Sequence, residues 1–184
     1  MLSVSVKFDT KTLTRGLNGI QKKAIPKATK MALNRTAANV KSIAVKEVSK
    51  KTGLKSSLVR KHISITKAKN NQLTARVRAT TGRLNLREFG ARQTRKGVTA
   101  KIKGVKQIIH GAFIINGFAG GRVFKRSSKK RLPIKQATAP GVTWGFIQPL
   151  VDSVMKNTAK EKFKLHFRSR MNEELRRLGF SVRL

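Results

Sequence analysis

Residues 63–79, ISITKAKNNQLTARVRA, decide the class of the fold. Ile63 and Ile65, then Leu73, Ala75, Val77 and Ala79, alternate with Ser64, Thr74, Arg76 and Arg78. That is the period of two that places successive side chains on opposite faces of a strand. Lys69, Asn70 and Asn71 separate the two halves and supply turn chemistry, so the pattern predicts a hairpin of strands at 63–68 and 72–79.

Upstream the period is different. From Leu13 to Lys51 the apolar positions Leu17, Ile20, Ala24, Ala28, Met31, Ala32, Val40, Ile43, Ala44 and Val48 recur mostly every three or four residues, as in an amphipathic helix. Pro26 lacks an amide hydrogen and crowds the preceding turn, so a kink or a junction of two helices is expected near residues 23–26. Gly53 is the expected stop, and Leu54, Leu58 and Val59 predict a short helix after it. At the start of the chain Leu2, Val4, Val6 and Phe8 alternate as in a strand, with Asp9 and Thr10 able to cap the helix that follows.

Downstream, short strands are expected at 84–88, 98–103, 107–115, 121–126 and 132–136, punctuated by glycines, with Val98, Ala100 and Ile102 facing inward. Pro149 suits the first turn of a last helix with an apolar stripe of Leu150, Val154, Met155, Phe163, Phe167, Met171, Leu175 and Leu178; Gly179 would end it. Long helices at both ends around a central, mostly antiparallel sheet make an α+β fold with projecting basic loops. It reads as a single domain, residues 1–184: helical over 9–62, sheet and basic loops over 63–141, and a C-terminal helix over 148–179.

Composition narrows the function. Forty-three Lys and Arg face seven Asp and Glu, a formal net charge of +36. Spread evenly, such charges are largely screened at physiological salt, where the Debye length is about 8 Å; gathered on one face, they call for a polyanion or an acidic protein. Two groups stand out: Arg83, Arg87, Arg92, Arg95, Lys96, Lys101, Lys103 and Lys106, then Arg122, Lys125, Arg126, Lys129, Lys130 and Arg131. Both are candidate DNA-facing or partner-facing sets. Cations that neutralise phosphates release counterions, which gives sequence-indifferent, salt-sensitive binding. With no Tyr and one Trp, there is little material for base stacking.

No catalytic constellation is visible, and neither a cofactor nor a metal is expected. There are no cysteines, and His62, His110 and His166 fall in three different elements without ligand spacing. Glu173 and Glu174 are adjacent, hence about 100° apart on a helix, and are expected as ion-pair partners of neighbouring arginines. The AGGR of residues 119–122 lacks the GK[ST] ending of a phosphate loop and reads as a hairpin tip. Trp144 and Phe146, with Phe163 and Phe167 on the last helix, are expected to serve packing or subunit contact. The N-terminus has no signal-peptide pattern, and no run approaches the ~20 apolar residues of a membrane span.

Four ordered blocks carry a resemblance: IPKATKMALNRTA at 25–37, LREFGARQTRKGVTAKIKG at 86–104, GAFI at 111–114 and RLPIKQATAPGV at 131–142, followed by the long basic C-terminal helix. In this order they resemble the prophage minor tail protein Z family. The resemblance implies a non-enzymatic structural protein of the virion, made in the host cytoplasm and added in tail completion at the head-proximal end of the tail. It also implies a homo-hexameric ring near the DNA channel. Its partners would be other phage tail proteins (tail terminator, tube and tape measure) and the genomic DNA. Charge alone supports an alternative, a sequence-independent nucleic-acid-binding protein of nucleoid or ribosomal type.

Overall fold

The computed structural model describes residues 18–117 and 121–180. The strand expected over 2–8, its capping pair Asp9 and Thr10, and Ala119 and Gly120 of the AGGR tip lie outside the described residues. The fold is α+β, with a long helix towards each end of the chain and antiparallel sheets between them.

Helix α1 spans Ile25–Thr52, preceded by a π-helical turn over Ile20–Ala24. Pro26 explains that turn. Its ring would crowd the carbonyl four residues earlier, and the wider turn, closed by the Ile25 amide donating to the Ile20 carbonyl, widens the ladder just where an α-helical turn would crowd the ring. The expected kink is therefore taken up within continuous helix. At the other end Gly53 adopts φ 76° and donates to the Ser49 carbonyl at 2.9 Å. A Cβ would be strained there, which is why a glycine stops the helix.

Helix α2 (Ser56–His62) leads into β1 (Ile63–Thr66), which pairs with β2 (Arg76–Ala79). Both strands are shorter than the alternation predicted. Asn34 of α1 accepts from the Ala68 amide at 2.7 Å and donates to the Ala68 carbonyl at 3.2 Å, imitating a neighbouring strand. That grip takes residue 68 out of the hairpin ladder, and the chain turns back through an isolated bridge between Lys69 and Gln72.

The rest of the sheet structure consists of β3 (Arg83–Asn85), a 3-10 turn (Leu86–Phe89), β4 (Arg92–Thr94), β5 (Gly97–Ile102), β6 (Val105–His110), β7 (Ala112–Ile115), β8 (Arg122–Arg126), β9 (Ile134–Gln136) and β10 (Thr138–Pro140). The sheets are β3 with β10, the meander β4-β5-β6, and the meander β7-β8-β9. Two expectations are corrected here. The strand expected over 84–88 ends at Asn85, whose side chain accepts from the Arg87 and Val123 amides and so starts the 3-10 turn while tying it to β8. The strand expected over 107–115 is two strands, because Gly111, at φ 70°, turns the chain between them.

A short helix, α3 (Val142–Phe146), precedes α4 (Pro149–Arg177). Pro149 opens α4 as expected. Gly179, at φ 85°, closes it: its amide donates to the Arg176 carbonyl and the Phe180 amide to that of Leu175, a Schellman motif. The predicted stripe needs correction at both ends, since Leu150 and Leu178 are exposed and Val151 is buried instead. The buried face also carries Thr158, His166 and Glu174 beside Met155, Met171 and Leu175. Glu174 is satisfied by Lys27 at 3.0 Å and Arg177 at 3.1 Å.

The chain groups into two compact units. Among the described residues, one takes those up to Ala38, Thr66–Arg76 and those from Ala159; the other takes Asn39–Ile65 and those between Val77 and Thr158. The core of the first is Ala24, Ala28, Met171 and Leu175, with Ile20, Phe167 and Phe180 against it. Alanines one turn apart let the α1 backbone approach α4 closely. The core of the second includes Val48, Val59, Ile63, Val98, Val123 and Val142, all at 1% exposure or less. Gly145 lies between Val48 and Thr52 so tightly that an added Cβ would meet Thr52 Cγ2 at 2.7 Å.

Candidate functional site

Charge is distributed unevenly along the chain. Ion pairs gather on the long helices: Lys50 with Glu47, Lys156 with Asp152, and Glu173 with Arg170 at 2.6 Å and Arg177 at 2.7 Å. The Arg170 hydrogen bond holds the Glu173 carboxyl below its usual range. Between residues 76 and 140, seventeen Lys and Arg face one acid, Glu88. Residues 22–69 likewise hold fourteen Lys and Arg against Glu47, so the sheets share the unneutralised charge with the helices before them, and α4 comes nearest to balance.

All fourteen basic candidates are exposed. Half stand on strands (Arg83, Arg92, Lys101, Lys106, Arg122, Lys125 and Arg126) and the rest on turns and connections. The β5–β6 register runs unbroken from Gly97 opposite His110 to Ile102 opposite Val105, with Lys101 directly opposite Lys106. Strand alternation puts Arg92, Lys101, Lys106, Ile108 and His110 on one face and Val98, Ala100 and Ile102 on the buried face. On the other meander Lys125 is directly opposite Lys135. Like charges opposite one another disfavour a sheet by about 0.2–1 kcal/mol per pair. Two such pairs stand exposed in a segment with one acid.

The tip of the β5–β6 hairpin is built, not loose. Lys103 and Gly104 have φ of 52° and 81°, the two left-handed residues of a type I′ turn, whose twist matches that of the strands. Lys103 lies 5.0 Å from the Trp144 ring centroid, a cation–π contact that anchors the tip. Arg126 likewise covers Phe113 at 5.0 Å, and Phe113 stacks on its cross-strand partner Phe124. A groove of about 390 Å³ opens between Ile102 and Ile109 on one side and Lys125, Arg126 and Lys135 on the other, with Leu86 between them.

The four aromatic candidates are not brought together. Trp144 and Phe146 sit half-buried on α3, in the second unit, while Phe163 and Phe167 stack at 5.8 Å on α4, in the first. Lys135 was missed by the sequence reading; the alternation of Ile134, Lys135 and Gln136 was the available signal. No cluster of His, Cys, Asp or Glu able to hold a metal exists among the described residues. No helix among them is long and apolar enough to cross a membrane.

Comparison with known proteins agrees with the ordered blocks. No solved structure matches the chain. A curated relative, the tail completion protein of Escherichia phage N15, is 31% identical over 134 residues, covering 67% of this chain and 72% of the relative. The family model described as prophage minor tail protein Z matches residues 10–180. The chain belongs to the prophage minor tail protein Z family of bacteriophage tail proteins.

Proposed function

We propose that this structural tail protein acts in tail completion at the head-proximal end of the tail, as a closed ring at or near the DNA channel. In this reading the basic sheet surface turns towards the genome or towards acidic surfaces of the tail terminator, tube or tape-measure proteins. The observation that carries the reading is the two in-register lysine pairs, Lys101 opposite Lys106 and Lys125 opposite Lys135, all four side chains exposed, within a segment holding one acid. Such strands lower their free energy when an anionic partner covers them. Residues 1–184 act in it as one tail-completion domain, a view supported by the long helices, each of which supplies residues to both compact units. Trp144, Phe146, Phe163 and Phe167 hold elements in place and are the aromatic candidates for contact between copies.

The test is the absolute mass of nuclease-treated protein by light scattering at high salt, where residual nucleic acid no longer bridges copies. A discrete oligomer of six supports the ring. A monomer that becomes a ring only when added to purified tails supports templated assembly. A monomer that ignores tails but binds duplex DNA favours the free nucleic-acid-binding alternative.

A further inference from the structure

The four outer strands of the two meanders differ in how their edges are protected. Strands β4 and β9 are three residues long, too short to template another chain. Strand β7 is partly occupied, its Ile114 amide donating to Gln93 Oε1 at 3.0 Å. Strand β6 is six residues long, unbulged against β5, free of proline and exposed at five of its six positions. It also shows solvent two large apolar side chains, Val105 at 59% and Ile108 at 48% exposure.

The two-residue Lys103–Gly104 turn makes Ile102 and Val105 a hydrogen-bonded pair, and antiparallel pairs alternate between bonded and non-bonded. The amides of Lys106, Ile108 and His110 therefore point away from β5. Outward amides and carbonyls on a long, flat strand are a template for strand addition.

The charge around this edge selects the occupant. Lys106 of β6 and its partner Lys101 of β5 lie on one face of the sheet, and Lys125, Arg126 and Lys135 rim the groove reached from the other face, where Ile109 of β6 lines the wall. A second copy adding its own β6 would bring Lys106 and His110 against the same cations. We propose that β6 is a strand-addition site for an extended acidic segment of another tail protein. Acids of that segment meet Lys106 and Lys101 on the outer face, and an apolar side chain seats against Ile102 and Ile109 with an acid reaching Lys125 or Lys135. The tail-assembly reading supplies only the source of the segment; the edge and its charge stand without it.

The probe is a synthetic peptide alternating Glu and Val, titrated into the full-length protein with backbone amides followed by NMR, beside a peptide of the same composition with alternate amides N-methylated. Binding should slow exchange of the Lys106, Ile108 and His110 amides at least tenfold, and the N-methylated peptide should not do so. Ile108→Pro removes an outward amide without touching the β5 ladder, so it should abolish that protection while keeping the native spectrum elsewhere. Lys101→Glu with Lys106→Glu should weaken binding about tenfold, and it serves if the proline variant fails to fold. Binding without protection of these amides, or equal binding of both peptides, overturns the proposal; so does duplex DNA perturbing Lys101 and Lys106 while the peptide leaves them unmoved. Ile108→Pro protein that still completes tails in a prophage lacking its own copy also overturns it, whereas loss of the ring with peptide protection intact counts only against the ring.

Discussion

Gly145→Ala sets two known effects against each other. A new methyl would lie 2.7 Å from Thr52 Cγ2 and 3.0 Å from Val48 Cγ1, side chains that are 1% and 0% exposed. Thr52 cannot turn aside cheaply, because its hydroxyl donates to the Val48 carbonyl at 2.7 Å and accepts from the Leu54 amide at 3.3 Å. Overpacking at such a site costs about 2–3 kcal/mol, and alanine's better helix propensity offsets about 1 kcal/mol. The net loss of about 1–2 kcal/mol lowers Tm by about 3–6 °C in a chain of this size. Thr52→Ser removes the offending methyl while keeping the hydroxyl. The double variant should thus be more stable than the sum of the single losses by about 1 kcal/mol. Urea unfolding of the four proteins in the cycle measures both quantities. An alanine variant more stable than the parent would refute the packing argument, since propensity alone would then have decided the sign.

Three further outcomes are expected. Replacing Arg92, Arg95 and Lys96 together with Ser should leave the unfolding midpoint within about 0.5 kcal/mol. If this turn meets DNA, the same variant should flatten the salt dependence of duplex binding in fluorescence anisotropy by about 0.9 log units per contact, nearly three in all; an unchanged slope removes the turn from any DNA-facing surface. Phe167→Asp puts a carboxylate beside Phe163, Met171 and Leu175, and should cost at least ~3 kcal/mol and broaden the methyl resonances of the Ala24, Ala28 and Met171 cluster. His166 is held below its ordinary pKa by burial and then by Arg35, Lys162 and Arg170. The unfolded chain therefore binds its proton first as pH falls. Stability is retained above about pH 6.5 and declines below it, and His166→Gln should flatten that part of the pH profile measured by thermal unfolding.

The helices and most strands were legible because their signals are local. Pro149, Gly179, Gly53 and the Val98–Ala100–Ile102 alternation act within a few residues, and the structure uses each as the pattern implies. Asn34 shortening the predicted hairpin was not legible, since the amide that meets Ala68 comes from 34 positions away. The exposed basic set could be read from composition. Its facing lysine pairs could not, because register depends on the Lys103–Gly104 turn and on pairings fixed only in three dimensions. Likewise Leu150 fits the period of a buried stripe while Val151 takes the buried place, as the phase of a helix about its axis is set by what packs on it.

Of the four boundaries between the compact units, two fall inside α1 after Ala38 and inside α4 after Thr158, and two fall within β1 before Thr66 and within β2 after Arg76, none of them in a linker. Neither unit is a contiguous stretch of polypeptide. Severing the chain at any one peptide bond therefore liberates neither of them whole, and a recombination event that transplants one uninterrupted segment from a related gene carries a whole unit only together with residues of the other. Viable hybrids between relatives should therefore be exchanges of the entire reading frame or of insertions within single turns.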